Sequence, residues 1–356
     1  MNIGVFLPNW VGDSVMATPT LRALREHFGS RARLIGILKP YVAAVYAGTP
    51  WLDEYWHYDR GHCPSELSML ALLKRLRRGQ FDKLILLTNS LSTAALAWLS
   101  GTPERIGYDR YARGCFLTHS LTPPRAGKEL VPISAVDYYL QLAEAMGCRD
   151  LSRRVELRTT AEEEASAQQV WQALKLPPAG RLIVMNTGGA YGVAKHWPVH
   201  SFATLAQRLV QQDDATVLVL CGPSEQQTAR EIVERAGHER VKSLAGQPLS
   251  LGLTKACVQR STLMVTTDSG PRHLAAAFNV PAVTLFGPTD PRWSTNYNPR
   301  EICVRLDLPC SPCAKRACPL GHHDCMRKLT DEMVFHTVRQ LLPSAEKSAP
   351  ATPSAA

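Results

Sequence analysis

Little in this sequence suits a membrane span, a secretory leader or a dinucleotide-binding turn. No apolar run approaches the roughly 20 residues that a spanning helix needs. The best stretch, 274–286, is shorter and holds Asn279 and Pro281. The chain opens without a basic segment, and Asp13 interrupts its first apolar run, so a secretory leader is not expected. The first strand-to-helix turn reads Asn9-Trp10-Val11-Gly12-Asp13-Ser14. It is neither G-x-G-x-x-G nor a Walker loop, which argues against a nicotinamide dehydrogenase and a P-loop NTPase. Long Lys/Arg blocks are also missing, although the formal net charge is +9. The nearest, Lys74-Arg75-Leu76-Arg77-Arg78, closes a helical pattern, where cations suit the helix dipole. Low complexity is confined to residues 343–356, rich in Ala, Pro and Ser and expected to be disordered.

What is present is an ordinary soluble composition: 356 residues, 45% hydrophobic and 20% charged, long enough for two domains. Short apolar strands alternate with amphipathic helices. In the first half, strands are predicted at 3–7, 33–38, 83–87 and 105–108, and helices at 65–78, 91–99 and 134–146. In the second half, strands are predicted at 182–186, 216–221, 263–267 and 282–286, and helices at 201–211, 225–236, 249–259 and 271–278. A helix at 162–174 is followed by the breaker Leu176-Pro177-Pro178-Ala179-Gly180. The expected organisation is therefore a domain over 1–176, a second over 177–330, a closing helix at 331–342 and the tail. The fold class is α/β, with two Rossmann-like doubly wound domains facing a cleft and ligands at the carboxyl ends of the strands.

Those ends carry the chemistry. Asp13 offers one carboxylate after the first strand. It reads either as a helix cap or as a general base. Thr266-Thr267-Asp268-Ser269-Gly270-Pro271-Arg272-His273 ends a strand and opens a helix. Pro271 suits the first helical turn, and the N–H groups of Gly270, Arg272 and His273 would form an anion site, with Arg272 and His273 side chains as added donors. Asp268 would repel a phosphate at contact distance, so a sugar hydroxyl or the loop itself is its expected partner. Lys195, in the glycine-rich segment 186–198, either neutralises a leaving phosphate or is an ordinary surface lysine. Glu225 either accepts from ribose hydroxyls or is a first-turn acid. Thr187, Ser269, Gly287 and Thr289 stand in the same loops and complete the expected donor-binding set. The layout is that of a transferase using a nucleotide-activated donor.

Four segments together carry a resemblance: Asn9-Trp10-Val11-Gly12-Asp13 with Ala17-Thr18-Pro19, Lys195-His196-Trp197-Pro198, the run from Asp268 to Ala277, and Phe286-Gly287-Pro288-Thr289-Asp290-Pro291. They resemble the ADP-heptose:lipopolysaccharide heptosyltransferases, most of all the heptosyltransferase II branch, over nearly the whole chain except the tail. The resemblance implies a GT-B fold with an N-terminal acceptor domain and a C-terminal donor domain. It implies inverting, metal-independent transfer of heptose from ADP-heptose to the lipopolysaccharide inner core. By position it makes Asp13 the base, Lys195 the donor-phosphate contact, Glu225 the ribose acceptor, Asp268 the sugar-hydroxyl ligand, and Gly270 and His273 the diphosphate cradle. The acceptor would be a phosphorylated lipid A-core glycolipid. The enzyme would be cytoplasmic and peripheral at the inner face of the inner membrane, with no nucleic acid as partner. The chain departs from the family in the Tyr191-Gly192-Val193 stretch before Lys195.

Ten cysteines remain to be placed. Cys310, Cys313, Cys318 and Cys325 cluster with His322 and His323 among them. Such spacing admits a structural zinc, a redox or disulfide arrangement, or unliganded thiols. No metal is expected in catalysis. Cys63, Cys115, Cys148, Cys221, Cys257 and Cys303 are scattered and expected to be inert. Two other readings use the same features: a GT-B enzyme with a different nucleotide sugar, or a non-catalytic, basic, zinc-dependent nucleic-acid binder. The second lacks a recognisable nucleic-acid motif.

Overall fold

The computed structural model describes residues 1–59, 61, 64–189 and 191–342. Cys63 and the tail 343–356 lie outside the described residues. The chain divides into two compact units. The first is Met1–Thr160 joined by the short return Pro291–Tyr297, and the second is Ala161–Asp290 with the chain from Asn298 on.

The first unit is built on a six-stranded parallel sheet of β1 (Asn2–Phe6), β2 (Arg33–Leu38), β3 (Glu54–His57), β4 (Lys83–Leu86), β5 (Glu104–Tyr108) and β6 (His119–Leu121). A small hairpin, β7 (Arg125–Ala126) with β8 (Glu129–Leu130), lies outside it. The second unit repeats the plan with β9 (Leu182–Asn186), β10 (Thr216–Leu220), β11 (Val241–Ser243), β12 (Leu263–Thr267), β13 (Ala282–Phe286) and β14 (Glu301–Arg305). The orders are β3-β2-β1-β4-β5-β6 and β11-β10-β9-β12-β13-β14. Both are Rossmann-like, and in both the order reverses beside the first strand of the unit, between β1 and β4 and between β9 and β12.

The central strands are visible in the sequence because helices cover both faces of a parallel sheet and leave no polar side. Leu182–Asn186, Thr216–Leu220, Leu263–Thr267 and Ala282–Phe286 are buried at every position. The edge strands were not expected. Glu54–His57 and Glu301–Arg305 are half exposed and carry no apolar run.

Two further differences have simple causes. The helix after β1 is two helices, Val11–Met16 and Thr18–Phe28, with Pro19 in the first turn of the second. A proline there lacks only an N–H that needs no intrahelical partner. The helix Ala161–Leu174 belongs to the second unit, so the division falls before it and not at the Pro-Pro-Ala-Gly breaker behind it. Its acids are held there. Lys255, whose side chain is fully buried, lies 2.9 Å from Glu163, and Arg260 lies 2.7 Å from Glu164 and over the ring of Trp171. No helix among the described residues is long and apolar enough to cross a membrane.

Candidate functional site

In the first unit, Asp13 follows β1 at the point where the strand order reverses. It is not the cap of its helix. Trp10 holds that position without a side-chain cap bond, and Asp13 stands in the first turn. Its backbone carbonyl accepts from the Ala17 N–H at 2.9 Å, while an acidic side chain in a first turn is favoured by the helix dipole. Two buried tyrosines, Tyr46 and Tyr139, share its surroundings. Burial raises the pKa of both phenols, and the negative charge of Asp13 adds to the rise. Both phenols therefore stay protonated at neutral pH.

In the second unit, the loops after β9, β10, β12 and β13 converge. Asn186, the last residue of β9, donates its side-chain amide to the Ser269 hydroxyl and to the Gly188 carbonyl, both at 2.9 Å. This ties the loop after β9 to the loop after β12. Lys195 reaches across the same gap. Its ammonium donates to the Asp268 carboxylate at 2.6 Å and to the Asp268 backbone carbonyl at 2.9 Å, and it stands 4.4 Å from the centroid of the Tyr191 ring. Thr289, after β13, donates its hydroxyl to the same carboxylate oxygen at 2.7 Å. Lys195 is therefore not a mobile surface lysine: its side chain is only 12% exposed, and that of Asp268 8%.

Burial alone would raise the pKa of Asp268. The charges of Lys195 and Arg272, with the hydrogen bonds from Lys195 and Thr289, outweigh it and hold the carboxyl below its ordinary range. Asp268 is consequently ionised and already anchored.

Arg272 corrects the expectation that it donates to an anion. It is fully buried, lies over the Phe286 ring, and forms a fork on Glu301 at 2.5 and 2.9 Å, with Asp268 at 3.6 Å. Glu301 also accepts from the Thr284 hydroxyl. The Arg272 backbone N–H bonds the Ser269 carbonyl at 3.3 Å. His273 stands at the fourth position of the helix Gly270–Ala277, where N–H groups enter the intrahelical ladder. The open N-terminal donors are thus narrowed to Ser269 and Gly270.

His273 is buried and neutral. Burial first, then the Arg272 charge, push its pKa down to about 3. Between pH 6.5 and 5 the unfolded chain binds a proton here that the folded chain does not. Stability should therefore fall as pH drops through this range, by up to about 1.4 kcal/mol per pH unit from this residue. His273→Asn should flatten that slope in denaturation curves taken from pH 7 to 5, and an unchanged slope would remove His273 as its source.

On the other side of the loop cluster, the Gly222 N–H donates to Glu225 at 2.9 Å. Gly188 lies against the same carboxylate, and a Cβ there would come within 1.8 Å of it. The close approach explains the glycine and fixes Glu225 at the end of β9. The hydroxyls of Thr187 and Thr267 are buried without a hydrogen-bond partner among the described residues, the state expected of groups that meet a polar ligand. Gly287 faces away from this set. It packs on the segment that carries Cys325, and a Cβ would lie 2.5 Å from the Met326 sulfur.

Cys310, Cys313, Cys318 and Cys325 line one cavity together with His322 and His323. None is in a disulfide. Among the described residues, no three Cys, His, Asp or Glu side chains are arranged to hold a metal ion.

The sequence profile of glycosyltransferase family 9 (heptosyltransferase) matches residues 69–323, more than half of the chain. A lipooligosaccharide heptosyltransferase 2 of Campylobacter jejuni is 27% identical over 349 residues, covering 96% of this chain and 98% of its own. A lipopolysaccharide heptosyltransferase 2 of Escherichia coli is also 27% identical, with 96% of this chain and 99% of its own covered. The solved structure of E. coli ADP-heptose lps heptosyltransferase II superposes with a TM-score of 0.77 at 23% identity, covering 96% of this chain and 98% of that one.

Proposed function

Because this chain belongs to glycosyltransferase family 9, the heptosyltransferases, we propose that it transfers heptose from ADP-heptose to the lipopolysaccharide inner core, as a heptosyltransferase II. The observation that carries this is the buried Lys195–Asp268–Thr289 set beside the Gly188–Glu225 contact, all at the carboxyl ends of the second sheet. A nucleoside diphosphate needs cationic and N–H donors for its phosphates and carboxylate acceptors for its hydroxyls, and this set supplies both.

Glu225 accepts from the adenosine ribose, and Asp268 faces the heptose hydroxyls. Lys195 and the N–H groups of Ser269 and Gly270 meet the charge that develops on the departing ADP. Fixed donors of this kind lower the barrier because they need not reorganise as the charge appears. Thr187 gives its unpartnered hydroxyl to the donor. Asp13, supplied by the first unit, takes the proton of the acceptor hydroxyl as it attacks the anomeric carbon from the face opposite ADP, which inverts the configuration. The acceptor is a phosphorylated lipid A-core glycolipid. The protein works in the cytoplasm, peripherally at the inner membrane, where its net positive charge of +9 favours an anionic surface.

The transfer is proposed to need no metal. For the structural zinc that the Cys310–Cys313–Cys318–Cys325 spacing admits, no three side chains among the described residues are arranged as ligands. Elemental analysis of chelator-free protein should find far less than one zinc per chain, whereas one per chain would make the cluster a metal site.

The functional test pairs the purified protein with ADP-heptose and heptose-deficient core acceptors, with product mass as the readout. Thermal protection by ADP, and not by UDP or GDP, is expected. The reverse ranking would point to a different nucleotide sugar.

A further inference from the structure

The loops after β4 and β5 of the first unit hold a polar cluster that the donor residues do not touch. Arg113 is fully buried there. Its Nε donates to the Tyr108 carbonyl at 2.8 Å, and its Nη1 to the carbonyls of Thr88 at 2.5 Å and Ser90 at 3.4 Å. Its Nη2 donates to Asn89 Oδ1 at 3.2 Å. Burial lowers the Arg113 pKa to about 10, so the guanidinium is still charged at neutral pH. Among the described residues it makes no ion pair. Asp109, the acid nearest in sequence, accepts from the Gly114 N–H at 3.0 Å instead. A buried charge met only by carbonyls and one amide leaves a positive potential at the carboxyl ends of β4 and β5.

Asn89 stands half-buried at the edge of this cluster. Tyr138, in the helix Ala135–Ala145, donates its hydroxyl to the same Oδ1 at 3.1 Å. The Tyr138 ring lies flat on that of Tyr108, with centroids 3.7 Å apart, and the Tyr108 hydroxyl donates to the Tyr138 carbonyl at 2.8 Å. A guanidinium only donates, so the Asn89 atom that faces Arg113 is its oxygen. This fixes the orientation of the amide. Its nitrogen is turned the other way, and its two N–H donors meet no acceptor among the described residues. Asn89 also shares a neighbourhood with Asp13. β1 and β4 pair in parallel with Phe6 opposite Leu86, so both residues follow adjacent strand ends where the strand order reverses. Tyr138 is followed by Tyr139, which feels the Asp13 charge, and the two rings stand 6.0 Å apart.

We propose that Asn89 binds the acceptor substrate, its side-chain amide donating to an anionic oxygen, of a phosphate or a carboxylate, on the acceptor glycan. Two features select an anion. The amide as oriented presents only N–H donors, and the Arg113 guanidinium on its oxygen polarises it and strengthens them. The charge of Arg113 behind the amide also favours a negative group in front of it. A glycan held at Asn89 is restrained beside Asp13, and restraint of that kind keeps the attacking hydroxyl within reach of its base. This inference deepens the acceptor reading given above and rests on it.

The deciding variant is Asn89→Asp in the full chain. It keeps an oxygen for Arg113 and Tyr138 and replaces the two N–H donors by a second, negative oxygen. A role confined to holding Arg113 survives this change, whereas a role in acceptor binding does not. Affinity for a phosphorylated, heptose-deficient core acceptor, measured without donor, should fall at least about tenfold, as expected when a hydrogen bond to a charged group is lost. In transfer assays the loss should fall on KM for the acceptor, with KM for ADP-heptose within about twofold of the parent value. The midpoint of thermal unfolding should stay at or above that of the parent. Asn89→Ala should lower both the midpoint and the acceptor affinity, the affinity by less than the Asp variant does, since it removes donors without adding a repelling charge. Two altered acceptors name the anion. The Asn89→Asp penalty should shrink to under about threefold on a dephosphorylated acceptor if a phosphate is bound, and on a carboxyl-reduced acceptor if a carboxylate is. A penalty kept on both, or parent-like acceptor affinity in Asn89→Asp, overturns the proposal. A parent protein that binds the acceptor but transfers nothing from ADP-heptose would overturn the donor reading instead, and the binding data would still decide Asn89. A parent protein that binds no such acceptor overturns the acceptor reading itself.

Discussion

Asp13→Asn should lose roughly three orders of magnitude in kcat while ADP affinity stays within about twofold of the parent protein. Asparagine keeps the shape and the hydrogen-bonding reach of the side chain but cannot accept a proton. The neighbouring Tyr46 and Tyr139 cannot replace it, since burial, reinforced by the Asp13 charge, keeps both phenols protonated. ADP binding is the control, because the donor residues belong to the other unit. The assay is initial-rate kinetics at saturating donor and acceptor, with calorimetry for ADP. Near-normal turnover would remove Asp13 as the base and leave it a first-turn acid that suits its helix dipole.

Lys195→Ala should have the second large effect, on binding and on stability together. The Lys195–Asp268 pair is almost wholly buried. Removing the cation leaves Asp268 with Thr289 at 2.7 Å and Arg272 at 3.6 Å. Breaking a buried pair from one side costs about 3 kcal/mol of stability. If Lys195 also contacts the donor phosphates, kcat/KM for the donor should fall by roughly a hundredfold, since about 2.7 kcal/mol of transition-state stabilisation goes with it. The two effects separate in the double variant. Adding Asp268→Asn removes the carboxylate charge that Lys195 balanced, so the midpoint of unfolding should recover while donor kinetics stay poor. Donor kinetics unchanged in Lys195→Ala would make the residue a structural brace alone.

How much of this was readable beforehand depends on the range of the interaction behind it. The buried strands are mainly runs of apolar residues, as strands covered on both faces require. The Ser269-Gly270-Pro271 opening of the helix at 270–277 is equally local, because proline and glycine act through their own backbone. Arg272 was misjudged for the opposite reason. Its partner Glu301 lies 29 residues on, in an edge strand with no apolar pattern of its own. Lys195 and Asp268 are 73 residues apart, and neither position by itself distinguishes an ion pair from two separate ligand contacts. The helix at 161–174 looked like the end of the first half because the Pro-Pro-Ala-Gly breaker follows it. Its acids pair with Lys255 and Arg260, more than ninety residues away.

From residue order alone came the alternation of elements, the doubly wound class, and the loops where ligand chemistry would gather. Each of these follows from side-chain period and backbone preference within a few neighbours. Folding in three dimensions decided which charges neutralise one another, and that Arg272 is spent inside the fold while Lys195 is drawn in to Asp268. Those outcomes turn on desolvation and on contacts between distant segments. A charge taken out of water must find its partner wherever the chain happens to bring one.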